Sequence, residues 1–116
     1  MHFKLIITIV DDVLVDRVVD AARKAGATGS TVLRSARGEG MEPKRSFLGM
    51  DLVSAREVVL LLVEQHLARH ILERIGQAGG FDESSGTGIA FQIDVEDAVG
   101  VVHQIASLQP LIEEDL

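Results

Sequence analysis

Gly86-Thr87-Gly88, preceded by Ser84 and Ser85, is a stretch that could do chemistry with its backbone alone. Glycines let backbone N–H groups come close to an anion, and consecutive N–H groups in a turn can cradle a phosphate. The same glycine- and serine-rich stretch reads equally well as a plain loop. Gly38-Glu39-Gly40 is a second glycine pair, and it opens a segment that carries Lys44 and Arg45. Those two cations are either solvated loop charges or contacts for a ligand or partner. His66 and His70 stand four apart, with Glu73 three further on. On a helix that spacing places them on one face, where they could hold a metal. The plainer reading is a solvated or interface face beside Leu67 and Ile71. Asp11-Asp12 and Glu113-Glu114-Asp115 are acidic clusters that a helix cap and an acidic tail explain. No nucleophile–base pair is recognisable. There is no cysteine, so thiol catalysis, thiolate metal sites and disulfides are excluded. An enzyme is not expected.

These residues need elements to hold them. Phe3 to Val10 alternates like a strand, with Phe3, Leu5, Ile7 and Ile9 on one parity. Asp11 or Asp12 then caps a helix predicted over about Val13 to Ala25, with Val15, Val18, Val19 and Ala22 at helical spacing and Gly26 as its stop. Thr31 to Arg37 reads as a second strand, where Arg34 and Arg37 could simply dress a sheet edge. Arg56 to Val63 reads as a third strand. It is apolar at both parities from Val58 onward, as a strand covered on both faces would be. Leu67 to Ala78 carries a helical stripe of Leu67, Ile71, Leu72 and Ile75, stopped by Gly79-Gly80. Ile89 to Val95 alternates as a fourth strand. The stretch Asp97 to Ile105, broken by Gly100, suits a short helix or an extra strand.

The order βαββαβ predicts an α+β, ferredoxin-like sandwich with an antiparallel sheet, as one domain over 1–116. The long connection at about 38–55 is the odd piece, and an acidic tail at 107–116 closes the chain. Tight hairpins need only two to five loop residues. This one is longer, and its apolar residues Met41, Phe47, Leu48 and Met50 have no local core. With Lys44 and Arg45 they form a candidate partner-binding loop. Two helices cover one sheet face only, yet the strands are apolar on both. Burying the bare face at about 25 cal/mol per Å² favours self-association.

Composition narrows the classes further. Hydrophobic residues make up 47% of the chain, too many for disorder. The formal net charge is −7, which argues against general nucleic-acid binding. Tyr and Trp are absent and Phe occurs four times, so base-stacking platforms are scarce. No apolar run approaches the roughly 20 residues of a membrane helix, and a cytoplasmic location is expected.

In this order the motifs resemble the PII signal-transduction family. The matching pieces are Lys4-Leu-Ile-Ile-Thr-Ile9 with Asp12-Val13, Gly26-Ala-Thr-Gly-Ser-Thr-Val32, the Gly38-Glu-Gly40 turn, and Gly86-Thr-Gly88 before Phe91-Gln-Ile-Asp-Val95. The resemblance implies a homotrimer with its sheets inward, adenine-nucleotide clefts between subunits, and long loops that dock on targets such as membrane transporters. By position, Thr31, Gly38, Gly40, Gly86, Thr87 and Gly88 would line the cleft. Arg56 would stand where the family has a lysine for 2-oxoglutarate.

The departures change the expected ligand. Ile89 replaces a family lysine, Asp97 and Gly100 replace arginines, and Met41-Glu42 replaces the Arg-Gln pair that serves magnesium and 2-oxoglutarate. Losing cations and adding an acid weakens a triphosphate most. AMP, ADP or a cyclic nucleotide is therefore expected ahead of Mg-ATP. Without tyrosine, uridylylation of tyrosine is impossible. The other expectation is a metal-handling trimer of the related CutA type, with His66 and His70 as ligands.

Overall fold

The computed structural model describes residues 1–34, 46–47, 50–51, 56–101, 103 and 105. Strand β1 (Phe3–Asp11) leads through a 3-10 turn (Asp12–Leu14) into helix α1 (Val15–Lys24). Strand β2 (Thr31–Arg34) follows, then the short β3 (Ser46–Phe47) and β4 (Met50–Asp51). Strand β5 (Arg56–Glu64), helix α2 (Gln65–Gly79) and strand β6 (Gly88–Val95) complete the order. The main sheet runs β2-β5-β1-β6, with antiparallel neighbours. This is the expected α+β, ferredoxin-like arrangement.

Register decides which face is the core. Ile6 lies opposite Leu61 and Thr8 opposite Val59, and all four are buried. Val15, Val18 and Ala22 of α1 and Ala68, Ile71 and Ile75 of α2 close over them, joined by Val10 and Val63. The other face carries a grid of apolar side chains. Leu5 sits between Leu62 and Ile93, Ile7 between Leu60 and Phe91, and Ile9 between Val58 and Ile89. No helix packs there among the described residues. Ile93 is 46% exposed and Leu33 50%, so this face is an apolar surface in the single chain.

Helix ends explain where the sequence reading slipped. The first helix starts two residues later than expected. Asp11 Oδ1 accepts from Val13 N–H at 3.2 Å, and the Val15 N–H donates to the Asp12 carbonyl, so the first turn is of the tighter 3-10 kind. Helix α1 ends at Lys24, one residue before the expected Ala25, and Gly26, the expected stop, has a φ of 120°. Gly26 N–H donates to Arg23 O and Ala27 N–H to Ala22 O, each of which satisfies a terminal carbonyl. Helix α2 starts at Gln65 rather than Leu67. The Glu64 carboxylate caps it, accepting from His66 N–H at 2.7 Å. Glutamate is not a favoured cap, so the sequence carried little signal for it.

Three other expectations meet the structure. Strand β2 is seen to Arg34, and its expected end at 35–37 lies outside the described residues. Within the long loop, β3 and β4 pair as a small hairpin, Ser46 opposite Asp51 and Phe47 opposite Met50, where no element was expected. Beyond Gly100, His103 and Ile105 are helical, and Ile105 N–H donates to Val101 O at 3.0 Å. At the far end of the sheet Asp94 accepts from His2 Nε2 at 2.6 Å and Lys4 Nζ at 3.0 Å. The His2 hydrogen bond first, then that of Lys4, holds this carboxyl below the usual carboxylate range. Among the described residues no helix is long and apolar enough to cross a membrane.

Candidate functional site

Three strand ends meet at one end of the sheet. Asp11 closes β1 opposite Arg56, the first residue of β5, and Val10 lies opposite Gly88, the first residue of β6. The turn 86–88 is thereby carried to the spot where the long loop returns to the sheet.

The approach to that turn is built by glycine. Gly80, with φ 62°, ends α2, and Phe81 N–H donates back to Gly76 O at 3.1 Å. This bond sets the Phe81 ring against Gly79 and Gly88. A Cβ on either glycine would overlap the ring, and one on Gly88 would also stand 2.9 Å from the Ile9 carbonyl oxygen. The structure thus gives Gly88 a packing role alongside the expected backbone approach to an anion. Gly88→Ala is expected to cost about 1–3 kcal/mol through overpacking, read as a lower Tm. Adding Phe81→Ala should recover only part, because the Ile9 carbonyl cannot withdraw. An unchanged melting curve for Gly88→Ala would refute this account.

Thr87 fastens the turn. Its hydroxyl lies 3.3 Å from Gly80 O and 3.2 Å from Ser84 O, to either of which it can donate. Its carbonyl accepts from Asp11 N–H at 3.0 Å and from Arg56 Nη1 at 3.4 Å. Arg56 is only 6% exposed, with Asp11 Oδ2 at 3.8 Å from its guanidinium. Gly86 takes φ 80°, which a side chain resists. Residues 85–86 form a tight turn, and among the described residues the N–H groups of Ser85 and Gly86 donate to no protein acceptor. N–H groups presented by such a turn beside a buried cation suit an anion.

A groove of about 610 Å³ runs beside the turn between α2 and β6. Leu72, Phe81, Ile89 and Ala90 supply apolar lining, and Gln77, Asp82, Glu83 and Ser85 supply polar lining. Ile89 thus brings an alkyl group where the resemblance has a cation.

The expected site residues divide. Arg56, Gly86, Thr87 and Gly88 come together. Thr31 lies on β2 opposite Leu60, at the other edge of the sheet. Three strand spacings of about 4.8 Å separate the two edges, so one chain cannot bring Thr31 to the turn. Gly38, Gly40, Met41, Lys44, Arg45 and Leu48 lie outside the described residues, as do the side chains of Phe47 and Met50. His66 Nδ1 is 2.6 Å from Glu64 Oε1, and Glu73 accepts from Arg69 Nε at 2.9 Å. His70 is exposed on α2. Among the described residues no three His, Asp or Glu side chains are grouped to hold a metal ion. Sequence reasoning missed Asp11 as the partner of Arg56 and Phe81 as the ring against the glycines. Only strand register brings the first pair together.

No curated protein matches the chain. Among solved structures, it is similar to one described as a PII-like signalling protein from Thermus thermophilus. The two are 26% identical, the match covers 82% of this chain and 87% of that one, and the TM-score is 0.58. The family described as nitrogen regulatory protein P-II matches residues 3–104, nearly the whole length. By that match the chain belongs to the nitrogen regulatory protein P-II family.

Proposed function

We propose that this protein is a non-enzymatic signalling protein that binds an adenine nucleotide with few phosphates and regulates a partner through its long loop. The observation that carries the reading is the turn at Ser85, Gly86 and Thr87, where among the described residues the Ser85 and Gly86 N–H groups donate to no protein acceptor and a buried arginine stands behind. Such a turn favours a phosphate. Its surroundings disfavour several phosphates. Asp82 and Glu83 border the groove, Ile89 brings no charge, and Arg69 on the groove wall is already paired with Glu73. Two unit charges 4 Å apart interact by about 1 kcal/mol in water and about 4 kcal/mol near a protein surface. Each further phosphate meets that repulsion with little to offset it. The apolar sheet face supports assembly as a homotrimer. In such a trimer Thr31 of one copy could approach the turn of the next, completing an inter-subunit cleft. The partner is a target protein, with a membrane transporter as the candidate that the resemblance suggests.

Calorimetry on the purified protein tests this. AMP, ADP or a cyclic nucleotide is expected to bind at least as tightly as ATP. A variant with 41–51 replaced by a short Gly-Ser turn should keep that affinity, because the loop is assigned to the partner. Tight ATP binding strengthened by magnesium and 2-oxoglutarate would contradict the reading. Absence of all nucleotide binding would overturn it in favour of another small anion.

A further inference from the structure

We propose that His66 and His70, on the outer face of α2, form a two-histidine site for a divalent transition-metal ion, with the buried Glu64 carboxylate orienting the first of them. The site is independent of the nucleotide reading. Strand β5 runs from Arg56, beside the 86–88 turn, to Glu64 at its far end, where α2 begins.

The fold turns this pair outward. Ala68, Ile71 and Ile75 are buried and fix the rotation of α2. At 3.6 residues per turn, His66 and His70 stand about 40° apart on the opposite side of the helix. Both are exposed. Residues four apart on a helix have Cβ atoms about 5–6 Å apart, and helical side chains lean toward the N-terminus. The His70 ring therefore leans over the turn that carries His66.

Glu64 distinguishes this pair from two solvated histidines. It is 1% exposed, and both of its oxygens serve one residue. Oε2 accepts from the His66 N–H at 2.7 Å, and Oε1 lies 2.6 Å from His66 Nδ1. A carboxylate can only accept, so Nδ1 carries the ring proton. In the neutral ring the free lone pair is then on Nε2, which is the atom a metal ion needs. The His66 side chain is 56% exposed, so solvent reaches it. Metal-binding histidines hold their other ring nitrogen in such a bond, which fixes the ring and makes it a stronger donor.

The surrounding groups leave the pair available. Arg69 Nε donates to Glu73 Oε1 at 2.9 Å, so these two charges satisfy each other. Among the described residues His70 makes no hydrogen bond or ion pair, and its ring is free to rotate toward an ion. No third His, Asp or Glu joins the pair among the described residues. Closed structural zinc sites use four protein ligands, whereas two leave positions for water. The ion held here is therefore exchangeable. Imidazole suits zinc, nickel and copper, while magnesium and calcium take oxygen ligands.

Zinc titration of the full chain, free of any histidine tag, tests this by NMR of the histidine ring nitrogens. The Nε2 signals of His66 and His70 should shift together, while His66 Nδ1 stays protonated. Magnesium should shift neither. His70→Ala is an exposed change that leaves both Glu64 bonds intact. It should abolish the His66 shift at the same zinc concentration. Glu64→Gln tests the orientation. Its amide oxygen can still accept from His66 N–H, but its NH2 group must donate to Nδ1, which moves the ring proton to Nε2. Zinc affinity should then fall about tenfold or more, with the helical circular dichroism signal retained. No shift at His66 and His70 would overturn the site. A shift confined to His2 or His103 would do the same, as would a His66 shift that survives His70→Ala. Undiminished affinity in folded Glu64→Gln would overturn the part given to Glu64. If that variant does not fold, the metal-free wild-type spectrum decides the matter, and a ring proton on His66 Nε2 would overturn the orientation.

Discussion

Leu61→Asp is expected to leave no cooperatively folded protein. Leu61 is 1% exposed and lies opposite Ile6 in the centre of the sheet, under both helices. A carboxylate there would meet apolar side chains, with no cation among the described core residues. Burying an unpaired polar or charged group costs several kcal/mol even after it neutralises itself. A domain of this size has only about 5–15 kcal/mol in total. The milder Leu61→Ala leaves a cavity and should cost about 2–5 kcal/mol. Circular dichroism melts check both, with a sloping trace for Leu61→Asp and a lowered but sharp transition for Leu61→Ala. A Leu61→Asp variant melting sharply near the wild-type temperature would show that the residue is not in a dry core.

The same residue shows what the sequence could and could not tell. The helices were legible because Val15, Val18 and Ala22, or Ile71 and Ile75, repeat at helical spacing and point one way. The strands were legible as strands. The core side of β5 was not, because Val58 to Val63 is apolar at both parities. Alternation identifies a buried face only when the other face is polar. Here register with β1 and the placement of the helices selected Val59, Leu61 and Val63.

The site was legible to a lesser degree. Gly86, Thr87 and Gly88 stood out because glycine pairs mark special backbone geometry, and Gly86 does take a positive φ. The uses of their neighbours did not stand out. Phe81 reads as the first residue of a loop, and its ring fills the space that two glycines leave. Arg56 reads as a ligand contact, and its contacts to Thr87 and Asp11 were not foreseen. Both facts arise from residues distant in sequence, which no local pattern encodes. Thr31 is the reverse case. Its motif match is local, but its place at the opposite sheet edge depends on topology.

Leu60→Asp, one residue away from Leu61, is expected to behave quite differently. It should keep the fold and abolish self-association. Leu60 faces away from the helices, between Ile7 and Thr31, in the apolar grid that also holds Leu5, Leu62 and Phe91. In a single chain that grid meets water, so a carboxylate there stays solvated and costs the fold little. In an assembly the same carboxylate would be shut against apolar side chains of other copies. Fully burying one Leu- or Phe-sized side chain is worth about 1.5–3 kcal/mol, and several such gains would be lost or opposed at once. Light scattering should give a mass of three chains for the wild type and of one for Leu60→Asp, with matching circular dichroism spectra. A wild-type monomer at micromolar concentration would remove the assembly reading. A Leu60→Asp trimer would place the contact on another surface. Unfolding of Leu60→Asp to the same extent as Leu61→Asp would mean that both sheet faces are core within one chain. The one-sided packing of α1 and α2 argues against that, because among the described residues it leaves the Leu60 face nothing of its own chain to be buried beneath.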